Sequence, residues 1–91
     1  MNNARPKPLS SAQIRAARAL IRWSAEDLAR ASSVGVTTIR RAELTVEITS
    51  LTTANDQTIR RALELAGVEF IDENGGGPGV RLKKRQQKKK I

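Results

Sequence analysis

The sequence predicts a mainly α-helical domain, a bundle of four to five short helices closed by a C-terminal β-hairpin. Three observations carry that expectation. Apolar residues recur at helical spacing from about residue 11, the run Ser24-Ala25-Glu26-Asp27 starts a fresh helix, and residues 67–82 change to alternating apolar residues around a glycine-rich turn. The 91 residues suffice for one core.

Residues 1–9 hold Pro6 and Pro8 beside Arg5 and Lys7, a composition expected to form a disordered arm that buries nothing. From 11 to 22, Ile14, Ala17 and Ile21 mark the inner face of a first helix. Arg15, Arg18 and Arg22 lie on another face, read equally as a solvated stripe or as phosphate contacts. Ser24 then caps a short second helix over 25–31, Asp27 completes the cap, and Trp23 and Leu28 can close as a hydrophobic staple. That spacing makes Trp23 a core residue rather than a base-stacking one.

Ser32-Ser33-Val34-Gly35 interrupts the pattern as a turn. A third helix follows over 36–43, capped by Gly35, with Ile39 and Ala42 inward and Val36, Thr37, Arg40 and Arg41 on the opposite face. Residues 44–53 read as a loop, although the alternation of Val46 and Ile48 equally fits a short strand. Asn55 or Thr53 caps a fourth helix carrying Ile59, Ala62, Leu63 and Ala66, and Gly67 stands at its left-handed exit. Arg60 and Arg61 read as surface residues within reach of Glu64.

Val68-Glu69-Phe70-Ile71 and Val80-Arg81-Leu82 form the hairpin strands. The glycines at 75–79 lack the Lys-Ser/Thr ending of a phosphate loop and make a turn. A lone hairpin is marginal in water, so its apolar face must pack on the helices or on a second subunit. Val68, Phe70, Val80 and Leu82 are therefore candidate dimerisation residues. Residues 83–91 form a polybasic tail, expected to be flexible, in which Lys83, Lys84, Arg85, Lys88, Lys89 and Lys90 could hold DNA nonspecifically.

Composition narrows function further. The chain has no His, Cys or Tyr, which removes thiolate zinc sites, disulfides and histidine acid-base chemistry, so no enzyme activity, cofactor, metal or small-molecule ligand is expected. No apolar run approaches membrane-spanning length and the first residues lack a signal-peptide core, so the expected location is the cytoplasm, with no membrane partner. The formal charge of +8 suggests a polyanion, nucleic acid first. Yet residues 10–82 hold nine basic and nine acidic side chains, leaving the excess to the two ends. The reader of sequence must be sought in the helices.

Two short helices joined by a tight turn, with a polar and basic face on the second, match a helix-turn-helix whose second helix enters the major groove. The stretch Trp23-Ser24-Ala25-Glu26-Asp27-Leu28-Ala29, then Ser33-Val34 and Thr38-Ile39-Arg40-Arg41-Ala42-Glu43, resembles the Cro/C1-type helix-turn-helix regulators, also called the XRE family. The resemblance covers about residues 10–66 and implies a lambda-repressor-like bundle. The hairpin is similar to a C-terminal extension of some small bacterial members. Two departures stand out: Ser33 occupies a turn position where the family has Gly, and Gly35 replaces a polar residue that often touches phosphate.

By that resemblance, Ala25, Val36, Thr37 and Arg41 align with base-facing residues and Arg40 lies close enough to contribute. Arginine can bond guanine O6 and N7, and Val36 and Thr37 can pack on a thymine methyl. Gln13, Arg15, Ser24, Gly35 through its amide, and Thr38 are the candidate backbone contacts. The implied activity is a transcriptional regulator, a Cro-like repressor acting as a homodimer on a paired double-stranded operator. The alternatives are a protein-interaction module, such as an antitoxin or antiactivator with a protein partner, and a recombination directionality or architectural DNA-bending factor.

Overall fold

A computed structural model describes residues 7–46, 49 and 51–83. Four α-helices precede a two-stranded antiparallel sheet: α1 (Ser11–Ile21), α2 (Ala25–Ser32), α3 (Val36–Glu43), α4 (Thr53–Leu65), β1 (Val68–Ile71) and β2 (Gly79–Leu82). The protein is thus small and mainly helical with a C-terminal hairpin.

Local chemistry sets each boundary. Ser10 opens α1 with a reciprocal cap, its Oγ accepting from the Gln13 N–H at 3.1 Å while Gln13 Oε1 accepts from the Ser10 N–H at 3.0 Å. The helix stops at Arg22, which adopts a left-handed conformation (φ 59°), one residue short of the expected end. Ser24 and Asp27 repeat the reciprocal cap on α2, at 3.0 and 2.9 Å. Gly35 begins α3 without a side-chain cap, at the expected residue. The cap of α4 falls on Thr52, whose Oγ1 accepts from the Asn55 N–H at 3.1 Å, rather than on Thr53 or Asn55.

Ile14 and Ala17 of α1, Leu28 of α2, Ile39 and Ala42 of α3, and Ile59 and Leu63 of α4 meet in one buried cluster. Removing a Leu or Ile side chain of that kind from water stabilises a fold by about 1.5–3 kcal/mol. Trp23 packs half-buried against the cluster, as a core residue should. The helix pairs α1 with α3, α2 with α3, and α2 with α4 all touch, so α3 is held from two sides.

The hairpin packs inward. Val68 faces Leu82 and Phe70 faces Val80 across the ladder, which puts all four on one side of the sheet. Val68 is fully buried, and Phe70 and Val80 are half-buried against the helical core. Of the two destinations open to this apolar face, the helices take most of it: α1 and α4 pack on the strands, and of the four candidate dimerisation residues Leu82 is the most exposed, at 46%. Gln13 reinforces the seam, its Nε2 donating to the Gly79 carbonyl at 3.1 Å and the Ile71 carbonyl at 3.5 Å.

Both chain ends of the described region are also tied more firmly than composition suggests. Leu9, assigned to an arm that buries nothing, is fully buried. Its N–H donates to Asp56 Oδ2 at 2.8 Å and its carbonyl accepts from Thr49 N–H at 3.3 Å. Lys83, assigned to the tail, donates its backbone N–H to the Gly67 carbonyl at 2.8 Å and its Nζ to the Glu64 carbonyl at 3.1 Å. Lys84, Arg85, Lys88, Lys89, Lys90, Arg5 and Ile48 lie outside the described residues. Among the described residues, no helix is long and apolar enough to cross a membrane.

Candidate nucleic-acid interface

The turn between α2 and α3 is built by three consecutive residues. Ser32 Oγ donates to the Leu28 carbonyl at 2.7 Å and accepts from the Val34 N–H at 3.2 Å, which closes the end of α2. Ser33 takes the left-handed conformation (φ 62°), a geometry that a side chain disfavours. Val34 then turns its side chain into the core at 6% exposure.

That turn sends α3 across α2 with Ile39 and Ala42 inward. Its other side carries exposed Thr37, Arg40 and Arg41, with Thr38 and Val36 half-buried. Val36 also packs against the core, so its methyls are shared between interior and surface. A short helix with small residues at its head and guanidinium groups one turn later has the dimensions and donors to enter a major groove.

The two arginines differ. Arg40 forms an ion pair with Glu26 of α2, whereas Arg41 has no ion-pair partner among the described residues. Arg40, expected to contribute to base reading, is exposed and has its guanidinium on the Glu26 carboxylate in this structure. The Glu26 carboxyl sits below the usual carboxylate range, first through a backbone N–H at the head of its own helix and then through Arg40. Asp27 is lowered in the same direction, chiefly by the Ser24 N–H.

Two other candidate contact residues are enclosed. Ala25 is 8% exposed and belongs to the core, so its methyl is not offered to a base. Gln13 is 6% exposed, with its amide engaged by the Ser10 cap and the hairpin carbonyls, so its side chain is not available to phosphate. Ser24 and Gly35 are exposed, as is Arg15 on α1. The amide of Ser24 is taken by Asp27, and its hydroxyl accepts from the Asp27 N–H.

Arg18 resolves differently from either reading of the α1 stripe. It donates to both carboxylate oxygens of Glu43, at 2.7 and 2.8 Å, and to the Trp23 carbonyl at 2.8 Å. The hydrogen bond to Glu43 holds its pKa above the usual arginine value despite burial. Arg60 lies over the Phe70 ring, 5.0 Å from its centroid, and donates to the Lys7 carbonyl at 2.8 Å instead of pairing with Glu64.

Glu26 and Asp56 were missed at the sequence level as partners. Glu26 and Arg40 stand fourteen residues apart on different helices, and Asp56 meets a backbone amide forty-seven residues away. No same-helix spacing signals either contact. Among the described residues no group of three or more His, Cys, Asp or Glu side chains is placed to hold a metal. No protein-family model matches the chain, and no curated protein matches it.

Proposed function

We propose that this chain is a sequence-specific double-stranded DNA-binding regulator of transcription, a small repressor that lays α3 in the major groove. The observation that carries the reading is the outward face of α3, with Thr37 and Arg41 exposed on a helix whose other face is locked into the core. Val36 and Thr37 meet thymine methyls, Arg41 bonds a guanine edge, and Arg15, Ser24, Gly35 and Thr38 lie toward the phosphates. The resemblance of residues 10–66 to Cro/C1-type helix-turn-helix regulators supports the same reading. The cations of residues 1–9 and 83–90 add attraction that carries no sequence information.

One eight-residue helix spans few base pairs. We therefore also propose that two chains bind one duplex, each α3 reading a half-site about one helical turn from the other. Selection from a randomised duplex library followed by fluorescence-anisotropy titration tests both. The expected result is an enriched two-fold motif bound about 10³-fold or more tightly than scrambled duplex at physiological salt, with two chains per duplex. Equal affinity for selected and scrambled DNA overturns the proposal.

A further inference from the structure

We propose that Glu26 is a selectivity-setting residue that holds Arg40 away from DNA phosphates, so that Arg41 is the one α3 cation with no ion pair among the described residues. The inference rests on the DNA-binding reading above and deepens it.

The α2 and α3 unit carries three cations and three acids. Its cations are Arg30, Arg40 and Arg41, and its acids are Glu26, Asp27 and Glu43. Asp27 pairs with Arg30, Glu26 with Arg40, and Glu43 with Arg18 of α1. Arg41 is left over, with no ion pair among the described residues.

Glu26 is suited to hold its partner because it is itself held. Its carboxylate sits in the first turn of α2, where the positive helix end favours a negative charge, and Arg40 approaches from the next helix. The lowered carboxyl pKa means that the group stays charged at neutral pH. Half-exposed pairs are weak in themselves, with side-chain exposures here of 57% and 51%. Their effect on a third charge does not need a strong pair. A phosphate that recruits Arg40 must displace a carboxylate, and the displaced carboxylate remains beside it as a like charge.

The consequence falls on specificity, which is a difference between two affinities. Each cation that reaches a phosphate tightens right and wrong sequences alike and steepens the salt dependence by about 0.9 in the log–log slope. Near 0.15 M salt one such contact is worth about fivefold in affinity. Withholding Arg40 therefore lowers binding to random DNA while Arg41 keeps its base contact.

Anisotropy titrations of wild type, E26Q, R40Q, R41Q and E26Q/R40Q test this, on a selected and a random duplex over a range of salt. Circular dichroism checks that each variant is folded. E26Q should bind random duplex about fivefold more tightly near 0.15 M salt with a slope steeper by about 0.9, and its preference for the selected duplex should fall. R40Q alone should keep the wild-type slope, and E26Q/R40Q should return to it. A slope for E26Q parallel to wild type overturns the inference, as does a slope for R40Q flatter than wild type by about 0.9. Absence of sequence preference in wild type defeats the proposed function separately, since the slopes are read on random DNA. Absence of any DNA binding overturns both.

Discussion

Arg18 grips Glu43 with two guanidinium nitrogens, at 2.7 and 2.8 Å, and so fastens the last residue of α3 to the third turn of α1. The pair is largely enclosed, with side-chain exposures of 21% and 9%, and Arg18 also caps the Trp23 carbonyl. Because α3 is only eight residues long, its direction depends on tertiary contacts more than on its own hydrogen bonds. The ion pair fixes one end of that helix.

Removing one partner leaves the other charge enclosed and unpaired, which is costlier than losing both. Glu43→Gln and Arg18→Met should each lower unfolding free energy by about 3 kcal/mol in urea titrations. The double variant Arg18→Met with Glu43→Leu should recover a large part of that loss, because no isolated charge remains. Additive losses would show that the two groups do not act as a pair.

Gln13 joins the head of α1 to the hairpin through both ends of its amide. Gln13→Glu keeps the shape and removes the donor, setting a carboxylate against the Gly79 and Ile71 carbonyls. The expected cost is about 1–3 kcal/mol, and amide hydrogen exchange should accelerate first at Phe70 and Val80. Exchange that speeds equally across α2 and α3 would mean that the seam has no local role.

Ser33 sits at φ 62° with its side chain exposed, so glycine at this position relieves backbone strain without removing a buried contact. Ser33→Gly should raise stability by about 0.5–1 kcal/mol, seen as a rise of several degrees in Tm. Gly35, at an ordinary φ of −60°, should give no such response in reverse when replaced by Ser, which can cap α3. A destabilised Ser33→Gly variant would mean that unfolded-chain entropy outweighs strain at the turn.

Boundaries were legible wherever short-range chemistry decides them. Ser24 with Asp27, and Gly67, each announced a helix end through the residue type that the end requires. The inward sets Ile14, Ala17, Ile39 and Ala42 followed from period alone. What stayed hidden depends on packing between distant segments. Leu9 looked like part of a proline-rich arm until Asp56 supplied an acceptor for its amide. Gln13 looked like a polar helix-start residue, and only the hairpin carbonyls turn it into a buried clamp. The hairpin face had two physically sound destinations, and alternation along a strand cannot choose between them.

Stability should fall on the acid side alone. Glu26, Asp27 and Glu69 all have carboxyl pKa values below their ordinary range, the last through its hydrogen bonds to Arg81. A group lowered in the folded state contributes stability that is complete above the unfolded carboxyl value of about 4 and is lost as pH falls through the folded one. With no His or Cys in the chain, no side chain titrates near neutrality. Urea midpoints should therefore stay level from about pH 6 to 8 and drop below about pH 4.5. The triple variant E26Q/D27N/E69Q should start lower and decline less; an equally steep decline would place the acid sensitivity in other carboxyls.

Arg41 carries the sharpest test of the DNA reading. If its guanidinium bonds one guanine, Arg41→Ala should cost about 1–3 kcal/mol on the selected duplex and abolish discrimination at one base pair while the rest of the motif is still read. Arg40→Ala should cost less, because Glu26 already occupies that side chain. The measurement is a panel of duplexes that differ by single base pairs, titrated against both variants at fixed salt. A loss spread evenly over every duplex would make Arg41 a phosphate contact, and sequence reading would then have to come from the head of α3, where Val36 and Thr37 stand.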